Sequence, residues 1–357
     1  MTSEGELILN IFKVFGLSSV AFFFAIVWTP VLTHFLYKYR MWKKSVRTLA
    51  PDGNGTPIFA SLHKDREVGT PRMGGLLIWI TTLIIIVAVW ILAKATDEPL
   101  WDKINFLSRN QTWLPLFTLI SASLLGFFDD FLQVKGRGGY IAGGLKFRVR
   151  LGVVFLIASA GAWWFFIKLG QDAIYIPGIG DVAIGLWFIP LFVITMFATF
   201  STGVIDGLDG LSGGVFAAIF AAYTGIAFFR GQIDLAAFSA VILGALLAFL
   251  WFNIPPARFY MGETGILGLT TTLTVIAFLT NSVIVLPIIA FVPAIEAASV
   301  IIQLLSKRWR GKKIFLVAPL HHHLEAIGWP SYKVTMRFWV ISFVFAVIGM
   351  VIALVGR

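Results

Sequence analysis

Long unbroken apolar runs alternate with short polar or glycine-rich connections from one end of the chain to the other. The runs cover roughly residues 8–36, 75–93, 112–128, 150–167, 184–200, 213–229, 235–252, 265–280, 283–305 and 338–356. They are too long and too unalternating for barrel strands. Backbone groups in hydrocarbon must pair within their own segment, so these runs read as helices. The pattern predicts an all-α integral membrane protein with ten transmembrane helices in a single polytopic domain over residues 1–357. The cut between the eighth and ninth helices rests on one small polar break, Thr280-Asn281-Ser282. Only Ala173–Ala183 alternates, around Pro177-Gly178, which predicts a small β-hairpin.

Composition agrees with a lipid solvent. Hydrophobic residues make up 58% of the chain and charged residues 13%, about half the charged share of soluble domains. With the N-terminus outside, the connections after the odd-numbered helices face the cytoplasm and hold 21 of the 28 Lys and Arg. The positive-inside rule then places both termini outside. MTSEGELILN lacks the basic start and small-residue cleavage site of a secretory signal, so the first run is expected to stay in the protein. The net charge of +10 becomes a cytoplasmic collar suited to anionic membrane lipids and anionic substrates. Nucleic acid does not fit a face so close to the bilayer. The absence of cysteine excludes disulfides and thiolate chemistry.

Five of the 18 acidic residues sit where apolar runs end: Asp129 and Asp130 in GFFDDF, Asp206 and Asp209 in IDGLDGL, and Glu263 in YMGETG. A carboxylate near hydrocarbon costs roughly 2.5–3.5 kcal/mol and needs a metal, a metal-held phosphate or a basic partner. Adjacent helical residues point about 100° apart, so Asp129 and Asp130 are expected to take different roles, one toward substrate and one toward a neighbouring helix or base. As the close of a helix, the pair would face an unfavourable dipole end; an ordinary acidic helix end is the alternative. Asp206 and Asp209 would share a face if their segment were helical. The glycines at 207, 210, 213 and 214 would let a phosphate or sugar approach the backbone; a plain Asp-Gly turn is the alternative.

Pro255-Pro256 forbids regular helix, so Asn253, Arg258, Tyr260 and Glu263 are presented from a loop. Glu263 suits Mg2+, or could pair with Arg258. His321, His322 and His323 cannot easily ligate one metal together from a helix, which leaves phosphate or hydroxyl contact, or a cationic patch. Glu296, inside the ninth run, is expected to make a structural pairing. In the predicted topology every one of these clusters falls on the cytoplasmic face, as one shared site would require.

GTPRMGG, LLGFFDDFLQV, DGLDGLSGG, FN…RFYMGETG and APLHHHLEAIGW occur in that order. The combination resembles the phospho-N-acetylmuramoyl-pentapeptide translocase family, within the polyprenyl-phosphate N-acetylhexosamine-1-phosphate transferase superfamily, over nearly the whole chain. The resemblance implies a multi-pass enzyme of the bacterial cytoplasmic (inner) membrane that acts in peptidoglycan biosynthesis. It would transfer phospho-MurNAc-pentapeptide from UDP-MurNAc-pentapeptide to undecaprenyl phosphate, giving lipid I and UMP, with Mg2+ as cofactor and a homodimer as the common assembly. Carried over by motif, Asp129 is the candidate base on the lipid phosphate, with Asp130 beside it. Asp206 and Asp209, with Gly207 and Leu208, would orient the diphosphate and nucleoside side. Glu263 would hold the metal together with Asp206. Asn253 and Tyr260 would line the uracil pocket. His321, His322 and His323 would contact substrate, with His322 in a catalytic role. Lys64, Arg66 and Thr70 match the first-loop motif, and Arg150, or alternatively Lys146, matches a loop lysine.

The departures are specific. Phe200 and Gly203 stand where the family usually has Asn, Glu263 where it has Asp, and Arg72 where it has Thr. Rival readings are a sister transferase using UDP-GlcNAc, a non-catalytic binder of lipid carriers, and a transporter. A transporter would place its ionisable groups near the bilayer midplane rather than at one edge.

Overall fold

A computed structural model describes residues 3–44, 68–137 and 143–356. All ten apolar runs are helical, and eight of the helices among the described residues are long and apolar enough to cross a membrane. The first is α1 (Glu4–Lys38), which includes one wide turn at Phe12–Gly16. It is followed by α2 (Leu76–Ala95), α3 (Trp113–Lys135), α4 (Phe147–Trp163), α5 (Phe188–Ser201), α6 (Leu211–Phe229) and α7 (Ile233–Asn253). After these come α8 (Glu263–Leu279), α9 (Phe291–Arg310), α10 (Leu320–Ala326) and α11 (Ser331–Val355).

The helices sort by burial. From Thr264 to Leu279 every residue of α8 is buried, as expected of a helix apolar on all sides and enclosed by protein. Its most extensive packing is against α3. Gly126 permits this, because a Cβ there would overlap the carbonyl of Glu263. Most threonines of α8 find hydrogen-bond partners in the apolar interior, Thr272 being the exception among the described residues. Thr270 and Thr271 donate to the Ile266 and Leu267 carbonyls, and Thr274 meets Thr199 at 2.6 Å. Peripheral helices instead expose apolar side chains, such as Val27 on α1, Leu156 on α4, Ile194 on α5 and Phe343 on α11. A continuous apolar exterior around a packed interior suits hydrocarbon as solvent.

The hairpin is present as β1 (Ala173–Ile176) and β2 (Gly180–Ala183), antiparallel with Ala173 opposite Ala183. The polar break at 280–282 serves it directly. Asn281 accepts the Tyr175 N–H at 3.0 Å and donates to Asp181 at 3.2 Å. The hairpin lies just past the C-terminal end of α4, at the opposite end of that helix from Arg150.

Three expectations need correction. The ninth run is not one helix: Val283–Ile289 meets α9 at 83°, with the break at Ala290. Asp129 and Asp130 do not close a helix, because α3 continues to Lys135. The segment holding Asp206 and Asp209 is not helical; it is a run of turns between a 3-10 turn (Thr202–Ile205) and α6.

Candidate functional site

The site is built around the N-terminus of α8. Four orphan N–H groups at a helix start, with the positive end of the dipole, favour carboxylates. Asp130, reaching across from α3, accepts the Thr264 N–H at 2.9 Å. Asp206, from the turns after α5, accepts the Gly262 N–H at 3.0 Å through one oxygen and the Ser212 hydroxyl at 2.8 Å through the other. The position of Asp130 partway along α3 therefore costs little, since its carboxylate answers the start of another helix. The two adjacent aspartates do take different roles. Asp129 turns toward the segment before α4, accepting the Leu145 N–H and the Gln133 amide, each at 2.6 Å.

Two guanidinium groups stand among these acids. Arg150 on α4 bonds Glu263 at 2.9 Å and lies 3.7 Å from Asp129, with its side chain 14% exposed. Lys146 is exposed instead, so Arg150 is the base of this loop that faces the acids. Glu263 does not pair with Arg258, which lies over the Phe252 ring. From the first loop, Arg72 places Nε 3.5 Å from Asp130 Oδ1. Burial pushes the Asp206 carboxyl above the ordinary range, against the lowering effects of the Ser212 hydroxyl and the Arg72 guanidinium.

The histidines arrive on α10, after the bent helix. Glu296 of α9 accepts the His321 backbone N–H at 3.1 Å and pairs with its Nδ1 at 3.0 Å, both side chains fully buried. This is the structural pairing expected of Glu296. His322 Nδ1 meets Glu325 at 2.9 Å, and the two rings lie 4.1 Å apart. With each Nδ1 held by a carboxylate, the Nε2 atoms are the ones turned toward the DGLDG turn. A Cβ at Gly207 would overlap His321 Nε2 and come within 3.1 Å of His322 Nε2. Among the described residues, His321 Nε2 is buried with no hydrogen-bond partner. His323 points elsewhere, with Nδ1 accepting the Leu316 N–H at 3.3 Å.

The remaining candidates form the frame. Asn253 is buried, accepting the Gly210 N–H and donating to the Phe259 carbonyl, so it ties the DGLDG turn to the proline loop. Asp209 accepts the Ala257 N–H at 3.2 Å in the same frame, away from the α8 terminus. Leu208 is a core residue and offers its backbone alone to a ligand. Tyr260 and the Thr70 loop are joined by the bond from the Tyr260 N–H to the Pro71 carbonyl. Lys64 and Arg66 lie outside the described residues.

Among the described residues, no three Asp, Glu or His side chains form a ready-made metal cage. Mg2+ does not require one, since it commonly takes one or two carboxylates and completes its shell with water and substrate phosphates. Asp206 and Glu263 are hard oxygen donors at the two sides of the α8 terminus. Among the described residues, Asp130 Oδ1 is buried without a hydrogen bond. By donor type these acids suit Mg2+ only as part of a shell that water and substrate phosphates would complete.

Reading the sequence alone passed over the partners: Arg72, Ser212, Gln133 and Glu325. Gln133, four residues after Asp129, and Glu325, three after His322, left a local signal by sharing a helical face with their partners.

Comparison with known proteins bears on what this arrangement serves. Residues 112–281 match the family described as Glycosyl transferase family 4. A phospho-N-acetylmuramoyl-pentapeptide-transferase of Anoxybacillus flavithermus is 35% identical over 94% of this chain and 96% of its own length. The protein of that name from Oceanobacillus iheyensis is 37% identical over 93% of this chain and 95% of its own. The one from Chloroflexus aggregans is 33% identical over 95% and 89%. With similarity running through every segment that meets at the α8 terminus, the chain belongs to the phospho-N-acetylmuramoyl-pentapeptide-transferase family.

Proposed function

We propose that this protein transfers phospho-MurNAc-pentapeptide from UDP-MurNAc-pentapeptide to undecaprenyl phosphate, releasing UMP and forming lipid I. The observation that carries the reading is the gathering of Asp130, Asp206 and Glu263 at one helix N-terminus, with Arg72 beside Asp130 and Arg150 linking Glu263 to Asp129. Phosphoryl transfer asks mainly for positioning and charge neutralisation, and this is what such an arrangement supplies.

In this reading an oxygen of the lipid phosphate attacks the sugar-linked phosphorus. The bond from that phosphorus to the bridging oxygen breaks, and the oxygen leaves with UMP. Asp129 and Arg150 orient the attacking phosphate. Its phosphate is already largely ionised near neutral pH, so Asp129 acts by position more than by taking a proton. Asp206 and Glu263 would hold Mg2+, which when bound would neutralise the diphosphate. His321 and His322 present Nε2 to the substrate beside Gly207. The basic collar supports a ten-span topology with both termini outside and the site on the cytoplasmic face of the bacterial inner membrane, where a soluble nucleotide donor and a lipid acceptor can meet. A homodimer is the assembly the family resemblance implies.

The test is UMP release and lipid product formation by the purified protein with undecaprenyl phosphate and either UDP-MurNAc-pentapeptide or UDP-GlcNAc. Product only from UDP-GlcNAc would overturn the muramoyl assignment, and product from neither would overturn the transferase reading.

A further inference from the structure

Arg72 has no counterpart in the role given to any residue above, yet it sits closest to the least compensated oxygen of the site. Among the described residues, Asp130 Oδ1 is buried and makes no hydrogen bond; the Arg72 Nε at 3.5 Å is its basic neighbour. Arg72 is also held in place from the backbone. Its own N–H bonds the Met41 carbonyl at 2.7 Å, and the Pro71 carbonyl accepts the Tyr260 N–H at 2.8 Å. Gly74 and Gly75 donate to the Tyr260 and Met261 carbonyls, each at 2.8 Å. The first loop is thereby stitched to the strand-like stretch that leads into α8. The backbone that carries the guanidinium is thus fixed relative to the α8 terminus. It also lies within electrostatic reach of Asp206 and Glu263.

Charge counting shows what this cation does. When ionised, Asp129, Asp130, Asp206 and Glu263 carry four negative charges. Among the described residues, Arg72 and Arg150 offset two of them. One divalent ion then offsets the other two, which eases the entry of a diphosphate. Without Arg72 the same ion leaves one negative charge facing the diphosphate. The effect is strong because the side chain is only 18% exposed and Asp130 is wholly buried, so screening by water is weak.

We propose that Arg72 is a built-in counter-cation, a positioning residue that lets one divalent ion suffice to admit a nucleoside diphosphate ligand. The proposal rests on the transfer reading for its substrate, but its direct consequence is a pair of binding shifts with opposite signs. Arg72 repels the divalent ion and attracts the diphosphate, so removing it strengthens one and weakens the other. A merely structural residue would weaken both.

The experiment uses the full chain in detergent, with Mn2+ as probe followed by electron paramagnetic resonance and UDP followed by calorimetry at saturating Mn2+. Arg72→Thr is expected to bind Mn2+ about tenfold more tightly and UDP about tenfold more weakly, as loss of one charged contact implies. Arg72→Lys is expected to keep both within about threefold. If Arg72→Thr does not fold, Arg72→Gln takes its place. Parallel weakening, no change, or failure of Mn2+ and UDP to bind the unsubstituted chain would each overturn the proposal. Opposite shifts in a chain that transfers nothing to undecaprenyl phosphate would uphold Arg72 and sink the transfer reading; transfer without the shifts would do the reverse.

Discussion

Replacing Glu263 by Gln removes one charge from the centre of the site while keeping its shape. In the structure Glu263 and Arg150 meet at 2.9 Å, with side chains 25% and 14% exposed, so the pair is neither solvent-screened nor fully desolvated. A charge-assisted hydrogen bond of this kind contributes about 1.5–3 kcal/mol, or roughly ten- to a hundredfold in a rate or binding constant. Arg150 keeps Asp129 at 3.7 Å in that variant. The expected outcome in a UMP-release assay is a ten- to hundredfold lower kcat/KM, on the order set by that contact. More Mg2+ would be needed for half-maximal rate. Arg150→Gln should cost a similar amount, and the double variant clearly less than the two together, a coupling of about 1.5–3 kcal/mol. Glu263→Asp shortens the side chain by about 1.5 Å, one carbon–carbon bond. It should loosen the Arg150 pair but keep the magnesium response. Additive losses within about 0.5 kcal/mol, with an unmoved magnesium midpoint, would refute the claim that Glu263 joins the metal to Arg150.

Three further outcomes follow from the packing and charge of the site. Gly126→Val drives a side chain into the Glu263 carbonyl and should cost about 1–3 kcal/mol or more through overpacking; an unchanged thermal midpoint in detergent would contradict the close approach of α3 and α8. Glu296→Gln keeps an acceptor for the His321 N–H but removes the carboxylate that fixes the imidazole, so folding should survive while turnover drops about tenfold or more; undiminished turnover would remove His321 from the chemistry. Burial raises the Asp206 carboxyl above its unfolded value, so the folded state holds the proton more firmly than the unfolded chain. Its contribution to stability is then largest at low pH and is lost as pH climbs from the unfolded carboxylate range through the raised folded value. Thermal unfolding without Mg2+ should show this fall, Mg2+ should offset it at the upper end, and Asp206→Asn should flatten it; a curve unaffected by the substitution would count against it.

What the sequence made legible is what hydropathy and turn chemistry encode. The ten apolar runs, the hairpin around Pro177-Gly178 and the polar break at 280–282 all belong to that class, because each is written in neighbouring residues. The bend at Ala290 is not. The residues on either side of it, 286–289 and 291–295, are uniformly apolar, so an 83° turn leaves no trace in local hydropathy. Pro287 and Pro293 flank it without marking which residue gives way. The acids were identified by type and position, and their convergence by the requirement that one site collect them. Their mates were hidden for a physical reason: Asp130 pairs with Thr264 and Arg72, and Asp206 with Gly262, across helices whose contact no local pattern reports. The helix-end argument about Asp129 and Asp130 failed on the same ground. It treated α3 as ending where its apolar character ended, whereas the helix runs on to Lys135 and the relevant dipole is that of α8.

The departures from the family pattern make physical sense as a set. Asn is usual at the positions of Phe200 and Gly203, and here both have lost their amides. Phe200 packs against the core, and the space a Cβ would enter at Gly203 is bordered by Ile266 at 3.5 Å. Neither residue offers a side-chain hydrogen bond to a polar ligand. Over the same site this chain has Arg at 72 where the resemblance leads one to expect Thr, a guanidinium at 150, and Glu rather than Asp at 263, which reaches that guanidinium at 2.9 Å. Lost neutral donors on one wall are thus met by fixed positive charge on the others. This trade has a measurable signature, because charged contacts weaken with salt where amide contacts do not. If the nucleotide is held by Arg72 and Arg150, its KM should rise steeply with ionic strength, and should do so less in Arg72→Thr. Restoring Asn at 203 in that variant should then recover part of the lost affinity, and a salt response identical in all three chains would show that the changes at 72, 200 and 203 are unrelated.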